Sequence, residues 1–405
     1  MRKNIIVGQS GGPTAVINAS LYGVIKEGIA HGDQIGAVYG MIHGIEGFMA
    51  GRVMELSALE EEELELLKLT PAAYLGSCRY KLPEDLSDIC YQELFEKFRQ
   101  MDIGYFFYIG GNDSMDTVSK LARYAASNAI DVKVIGIPKT IDNDLIMTDH
   151  TPGYGSAAKY VASTVREIVL DSSVYQQKTV TIVELMGRHA GWLTAASVLA
   201  RKHKDDNPLL VYLPETNFDM EQFAHDVEEA LKKQPNVIIC ISEGISDDRG
   251  QFICEYADEA RLDTFGHKML TGSGKILENF VRDRFGVKVR SVELNVSQRC
   301  SGMVASKTDI EEAALAGAWG VRKALEGVTG QMIAFHRKSD SPYEMECVTV
   351  DVNQVCNQEK KFPSQWITKN GTDVSDEFRI YALPLIQGEL ERKMENGLPL
   401  YAHRR

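Results

Sequence analysis

Short apolar runs alternate with helix-period segments through most of this chain, and that alternation restricts the fold more than any other feature. NIIVG precedes TAVINASLYGVIKEG, GYFFYIGG precedes MDTVSKLARYAA, and VKVIGIPK precedes GYGSAAKYVASTVREIVL. Each pair reads as a strand followed by a helix, the βαβ signature of a parallel sheet covered by helices. VTIVELMG, LLVYLP, NVIICISEG and VKVRSVELN continue the pattern, with DMEQFAHDVEEALKK among the intervening helices. The expected class is α/β, two lobes with mainly parallel sheets and a break near Gly153.

A length of 405 residues suits two or three lobes at ordinary domain sizes. Hydrophobic residues at 44% and charged residues at 25% exclude wholesale disorder, and no apolar run approaches membrane-spanning length. The opening MRKNIIVGQSGG is basic like a signal peptide, but its apolar segment is only Ile5 to Val7, which suits a first strand. Seven scattered cysteines without a CxxC pair point to reduced thiols, a cytoplasmic setting and no zinc site. The net charge of −13 opposes nonspecific nucleic-acid binding, so any anion must be held in a locally basic pocket.

Some segments read as plain packing. Val118, Leu121, Ala122 and Ala125 recur at helical spacing and face a core, and SALEEEELELLKLT is a solvated acidic helix carrying Leu59, Leu64 and Leu67. After about Gly327 the segments shorten, through ECVTVDVNQV to FPSQWI and FRIYALPLI, a β-containing extension.

In open parallel sheets ligands bind at the carboxyl ends of the strands, so the strand-to-helix loops matter most. IIVGQSGGPTAVIN places Gly11 and Gly12 where backbone amides can approach an anion, with Pro13 suited to a first helical turn; a tight connection explains the same glycines. The dinucleotide fingerprint GxGxxG is absent from it. IGGNDSMD sets Gly110 and Gly111 before Asn112, Asp113 and Ser114, either as a helix cap or as a close approach to a ligand or metal. TGSGKIL resembles a nucleotide-binding loop, but Ile276 stands where Ser or Thr must ligate magnesium, so it reads as a loop opening a helix.

GIPKTIDNDL, Gly136 to Leu145, follows an apolar run with Lys139 and two carboxylates, Asp142 and Asp144. Pro138 ends the strand and projects Lys139 to Asp144 beyond the sheet. Turn chemistry needs one Asp or Asn; TIDND supplies more. Two carboxylates in different surroundings can divide tasks, one accepting a hydroxyl proton and the other holding a divalent cation, while the lysine neutralises charge on a transferring phosphoryl group.

PKTIDND, GGNDS, MGRHAG, SEG and SQR occur in the order and spacing of the phosphofructokinases, and the chain most resembles their pyrophosphate-dependent branch over roughly Asn4 to Glu326. The resemblance implies two Rossmann-like three-layer lobes: 1–152 with 300–326 binding the phosphoryl donor, 153–299 binding fructose 6-phosphate, and 327–405 as the extension. It implies Asp142 as the general base toward the 1-hydroxyl of fructose 6-phosphate, with Asp144 assisting through magnesium. Thr140, Ile141, Met186, Gly187, Arg188 and Glu243 would lie along the sugar. Lys178, Arg290 and Arg299 would grip its 6-phosphate, some across a subunit interface of a homodimer or homotetramer. This chain departs from relatives in carrying Lys178 where Arg is common, and Val296 where His or Tyr is common.

On the donor side the resemblance implies Gly11, Gly12, Arg79 and the GGNDS loop, with Asn112 replacing the family's magnesium-associated Asp. ATP users of the bacterial type have Gly in place of Asp113 and tend to have Gly in place of Lys139. Two unit charges ~4 Å apart at an effective dielectric near ~20 interact by about 4 kcal/mol, roughly a thousandfold in affinity, so Asp113 would oppose an α-phosphate. The expected reaction is reversible magnesium-dependent transfer from pyrophosphate to fructose 6-phosphate in glycolysis. Leu21 and Tyr22 stand where allosteric relatives carry regulatory arginines, implying little allosteric control. The alternatives are an ATP-dependent phosphofructokinase, a noncatalytic regulatory subunit that binds the sugar phosphate, and, least consistent with MGR, SEG and SQR together, a nucleotide or lipid kinase.

Overall fold

The computed structural model describes residues 2–256 and 272–404. In chain order the main strands are β1 (Lys3–Gln9), β2 (Ile35–Met41), β3 (Val53–Glu55), β4 (Ile103–Gly110), β5 (Lys133–Pro138), β6 (Thr179–Leu185), β7 (Leu210–Tyr212), β8 (Asn236–Ser242), β9 (Lys288–Glu293), β10 (Gln331–Asp340) and β11 (Tyr343–Asp351). The longer helices are α1 (Ile17–Ala30), α2 (Glu61–Leu69), α3 (Ile89–Gln100), α4 (Asn112–Ser127), α5 (Tyr154–Ser172), α6 (Met220–Lys233), α7 (Ser273–Phe285) and α8 (Lys307–Leu325).

The chain forms two compact units: 1–156, 299–359 and 385–405 make the first, 157–298 and 360–384 the second. The first division of the chain comes after Ser156. Of residues 327–405, expected as an extension capping the lobes, 327–359 and 385–405 belong to the first unit and 360–384 to the second.

The first unit is built on a seven-stranded sheet in the order β11-β10-β5-β4-β1-β2-β3, parallel except at its two ends, where β2 with β3 and β10 with β11 are antiparallel. Successive residues of a strand point to opposite faces, so a continuous apolar run serves two cores. Ile5, Val7, Phe107 and Ile109 join Leu21 and Val24 of α1 in one cluster, while Ile6, Phe106 and Tyr108 join Leu94 of α3 and Val118 of α4 in the other. Val118, Leu121 and Ala125 are buried as their spacing predicts, and α2 buries Leu64 and Leu67 while its carboxylates face outward.

Helices α1 and α8 cross at two glycines. A methyl group on Gly23 would sit 2.0 Å from the Ala314 carbonyl oxygen, and one on Gly317 would sit 2.0 Å from that of Ser20. The hairpin β10–β11 extends the sheet, with Gln331 and Met332 pairing in parallel with Ile135 and Gly136 of β5. The chain end returns to the same unit, where Arg404 donates to the Leu75 carbonyl at 2.9 Å and the Ala402 amide donates to the Thr70 hydroxyl at 2.9 Å.

The second unit has a four-stranded parallel sheet in the order β7-β8-β6-β9. Its apolar cluster joins Val180, Ile182, Ile239 and Ile241 to Phe223 and Val227 of α6 and Leu277 of α7. FPSQWI and FRIY belong here, because Phe362, Trp366 and Tyr381 surround the Trp192 ring, with centroids 5.1, 6.0 and 5.4 Å away. Gly272 precedes α7 in a left-handed conformation, so GSGKIL opens a helix as expected; Thr271 lies outside the described residues.

Candidate active site

In the first unit the strand order reverses between β1 and β4, because the chain steps from β1 outward to β2 on one side and later to β4 on the other. The carboxyl ends of these two strands form the expected ligand crevice. Both glycine-rich loops leave from there.

After β1, Gly11 turns with φ of 75°, and its amide donates to the Cys78 carbonyl at 3.2 Å while the Ser77 hydroxyl donates to the Gly11 carbonyl at 2.6 Å. These bonds bring Arg79 to the loop. Helix α1 begins only at Ile17, so Pro13 lies ahead of the helix rather than in its first turn. That leaves Gly11 to Val16 as an irregular connection, more room than a tight turn requires.

After β4, Gly111 occupies the cap position of α4 without a side-chain cap, and Asn112, Asp113 and Ser114 form the first turn itself. Capping therefore does not account for NDS. Asp113 projects exposed from this turn. The Asn112 amide oxygen accepts from the Asn357 backbone at 2.6 Å, and its NH2 donates to the Gln358 carbonyl at 2.9 Å. One oxygen lone pair remains for any cation.

Lys139 joins the two loops. Its backbone amide donates to the Gly110 carbonyl at 2.9 Å, and its Nζ donates to the Gly12 carbonyl at 2.6 Å. The side chain is 3% exposed. Burial lowers its pKa to about 8, opposed by Asp142 and Asp144 and assisted by the cations Arg79 and Arg299. Arg299, expected with the sugar phosphate, has its guanidinium 3.3 Å from where a methyl group on Gly12 would lie; the same construction on Gly11 lies 3.4 Å from Lys139 Nζ. An acidic chain thus concentrates Arg79, Lys139 and Arg299 at one glycine loop, the basic pocket its composition required.

The loop after β5 is fixed by short-range bonds. The Thr140 hydroxyl accepts from the Asp142 amide at 3.1 Å, and Asn143 adopts a left-handed conformation with φ of 55° that Asn tolerates. Ile141 is buried; Asp142 and Asp144 are half-buried. Among the described residues no three His, Cys, Asp or Glu side chains assemble to cage a metal. Two carboxylates on one loop beside a basic pocket do suit magnesium that arrives with a phosphate ligand, since this ion keeps several waters and takes one or two protein carboxylates.

In the second unit the loops after β6 and β8 meet. The Ser242 hydroxyl donates to the Gly187 carbonyl at 2.6 Å, and the Glu243 amide donates to the Leu185 carbonyl at 2.8 Å. Gly187 takes φ of 123°, and a methyl group on Gly244 would collide with the Arg188 carbonyl at 1.9 Å, so glycines let the two loops touch. Met186 and Glu243 line a small pocket together with Glu184, Glu293 and Asn295.

Burial raises both Glu184 and Glu243 to about 7, and mutual repulsion within the carboxylate group adds to the shift. Glu184 was not singled out from the sequence. Its signal was a lone carboxylate inside the apolar run VTIVEL. It is 3% exposed, and one oxygen accepts from the Gly274 amide at 2.7 Å. Lys178 is exposed just before β6, and Arg290 is exposed on the edge strand β9, where it lines a shallow pocket with Tyr175, Thr179, Thr181 and Lys288.

The Phosphofructokinase family model matches residues 4–293. The chain belongs to the phosphofructokinase family. This phosphofructokinase is 40% identical over 402 residues to the pyrophosphate–fructose 6-phosphate 1-phosphotransferase of Halomonas elongata, covering 98% of the chain and 95% of that relative. It is 38% identical over 402 residues to the enzyme of the same name from Methylococcus capsulatus, with the same coverage of both. Among solved structures, the pyrophosphate-dependent phosphofructokinase from Marinobacter aquaeolei is similar with a TM-score of 0.89 and 36% identity, over 99% of this chain and 95% of that one. The two lobes with mainly parallel sheets expected from the βαβ pattern are those of this family.

Proposed function

We propose that this phosphofructokinase transfers a phosphoryl group from pyrophosphate to the 1-hydroxyl of fructose 6-phosphate, giving fructose 1,6-bisphosphate and phosphate. The observation that carries the reading is Lys139, a buried lysine held on Gly12 between two acidic residues and two further cations. Burial and two neighbouring cations disfavour the charge on this lysine, so an incoming anion stabilises it, and pyrophosphate supplies that anion. Names of full-length relatives support the same donor and acceptor.

In this reading Gly11, Gly12, Arg79 and Lys139 receive the pyrophosphate, and Asp113 disfavours a longer nucleotide. Asp142 takes the proton of the 1-hydroxyl as the oxygen attacks in line, and Lys139 and Arg188 balance charge on the transferring group. Thr140, Ile141, Met186, Gly187, Arg188 and Glu243 orient the sugar. Glu243, raised to about 7, can donate as well as accept a hydroxyl hydrogen bond near neutral pH. Arg299, Arg290 and Lys178 hold the 6-phosphate, the latter two as contributions to a neighbouring subunit of a homo-oligomer. Asp144 would hold magnesium, with Asn112 offering its remaining lone pair; when bound, the ion would neutralise charge on the phosphate oxygens.

The setting that goes with this chemistry is the cytoplasm, and no helix among the described residues is long and apolar enough to cross a membrane. The positions of missing regulatory arginines are used in packing: Leu21 is fully buried, and the Tyr22 hydroxyl donates to Glu65 at 2.6 Å. Reversible, non-allosteric turnover is the corresponding expectation. The test is product formation by the purified chain with magnesium pyrophosphate and, separately, with ATP. Turnover with ATP alone overturns the donor assignment. Absence of turnover with either donor favours a noncatalytic sugar-phosphate-binding subunit, and loss of activity in Asp142→Ala excludes it.

A further inference from the structure

His150 is 1% exposed and lies between two carboxylates on opposite sides of its ring. Its Nδ1 is 2.8 Å from Asp149 Oδ2 and its Nε2 is 2.7 Å from Glu312 Oε2. Carboxylates only accept, so a ring bonded to one at each nitrogen donates from both and carries a full positive charge. Burial alone would favour the neutral ring, yet the two carboxylates hold its pKa up at about 9.

Each carboxylate is itself anchored. Arg337 of β10 donates to Asp149 at 2.9 and 3.1 Å, and the Tyr343 hydroxyl of β11 donates to Glu312 of α8 at 2.6 Å. The His150 ring also packs on Phe335, with centroids 4.8 Å apart. Backbone bonds complete the attachment: the Asp149 amide donates to the Phe335 carbonyl at 2.9 Å, and the Phe335 amide donates to the Thr148 hydroxyl at 2.9 Å.

From this anchor the chain runs directly into the loop after β5. The Thr151 hydroxyl donates to the Thr140 carbonyl at 2.8 Å, and the Thr140 amide donates to the Pro152 carbonyl at 3.2 Å. The Thr140 hydroxyl in turn accepts from the Asp142 amide. Asp309 of α8 fixes the far end by accepting from the Gly153 amide at 2.9 Å. Between Lys139 and Gly153 the loop is thus pinned by one buried ion network and by Thr140, Thr148 and Thr151.

We infer that His150, clamped between Asp149 and Glu312, is a positioning residue for Asp142, transmitting the rigidity of β10, β11 and α8 through Thr151 and Thr140 to the carboxylate that takes the substrate proton. The inference rests on Asp142 being the base. A displacement of order 1 Å at such a group lowers turnover about a hundredfold without altering donor binding, because proximity is lost and charge recognition is not. Groups facing the ring are Asp149 on its own segment, Glu312 on α8, Arg337 on β10 and Tyr343 on β11. Removing His150 alone leaves the buried Glu312 and the half-buried Asp149 without the charge that lies between them.

The test compares full-length wild type, His150→Gln, Glu312→Gln and the double variant, with magnesium pyrophosphate and fructose 6-phosphate. His150→Gln is expected to lower kcat by about tenfold or more while KM for pyrophosphate stays within about twofold, the pattern of lost transition-state geometry. Glu312→Gln, which keeps both polar atoms, is expected to lower kcat less, and the double variant is expected to recover part of the His150→Gln loss. Should His150→Gln fail to fold, Glu312→Gln decides alone: a folded variant with unchanged kcat overturns the inference. So does a loss that falls on KM for pyrophosphate. If Asp142→Asn retains full activity, the assignment of the base fails instead, and the two failures are told apart.

Discussion

Replacing Lys139 by methionine should make the protein more stable and much less active, and both effects follow from one buried ammonium group. Its pKa falls from 10.5 to about 8 in the folded chain, chiefly through burial. At about 1.36 kcal/mol per unit, keeping the proton at pH 7 costs about 3 kcal/mol of folding stability. Methionine is close in shape and carries no charge. It forfeits the hydrogen bond to the Gly12 carbonyl, worth about 1 kcal/mol net. The balance is a gain of roughly 2 kcal/mol at neutral pH.

The sign has a pH signature. Between about 8 and 10.5 the unfolded chain holds a proton at this lysine that the folded chain has released, so wild-type stability rises with pH across that window. The variant lacks this rise, so its advantage should pass through zero inside this window and end as a deficit of about 1 kcal/mol, the lost hydrogen bond alone. Thermal unfolding of both proteins from pH 7 to pH 10.5 reads the gap directly. In activity, loss of a cation beside the transferring phosphoryl group should lower kcat by about 10²–10³. Wild-type kcat/KM for pyrophosphate should decline above about pH 8, a limb the variant lacks. A variant that is less stable at pH 7, with a gap constant to pH 10.5, would refute the buried-cation reasoning; unaltered turnover would refute its catalytic use.

Asp113→Gly should raise kcat/KM for ATP, but the exposure of Asp113 moderates the effect: in water two charges ~4 Å apart interact by about 1 kcal/mol, so a gain of about fivefold is the floor and a thousandfold the ceiling. Donor-competition kinetics measure it, and no gain sinks the role. Glu184→Gln keeps an acceptor for Gly274 while removing a carboxylate whose pKa is raised from 4.5 to about 7, so it should stabilise the fold by up to about 3 kcal/mol above pH 7 and not at all near pH 4.5. A gain equal at both pH values contradicts it. Gly317→Ala should cost more than about 3 kcal/mol, because backbone at 2.0 Å cannot yield, whereas Gly320→Ala, meeting only side chains at 3.6 Å, should be tolerated. Equal melting temperatures for the two variants would remove the close helix crossing as the cause.

Much of the framework was readable because strand and helix periods are local. Each of the apolar runs quoted from NIIVG to VKVRSVELN became a strand, and the loops after β1, β4 and β5 lie where the carboxyl ends of strands should put them. What was not readable depends on partners distant in sequence. The Asn112 side chain meets Asn357 and Gln358, and His150 meets Glu312, through contacts that no spacing pattern records. The division of the tail was hidden for a related reason: FPSQWI and FRIY have no period, and their aromatic residues acquire meaning only around Trp192. The motif places Arg299 with the sugar phosphate, and only the fold shows that its guanidinium also lies beside Gly12.

The hairpin β10–β11 gives the first unit a schedule as well as an edge. On the ribosome, β1 to β5 and α1 are complete long before residues 331–351 exist, since the second unit's strands β6 to β9 are encoded in between. At synthesis rates of about 5–20 residues per second, the outer side of β5 and the glycine face of α1 wait on the order of ten seconds for β10 and α8. A nascent chain stalled before Leu325 therefore presents an unpaired parallel edge and an uncovered helix groove, and a chaperone that shields a strand edge would have its work at β5.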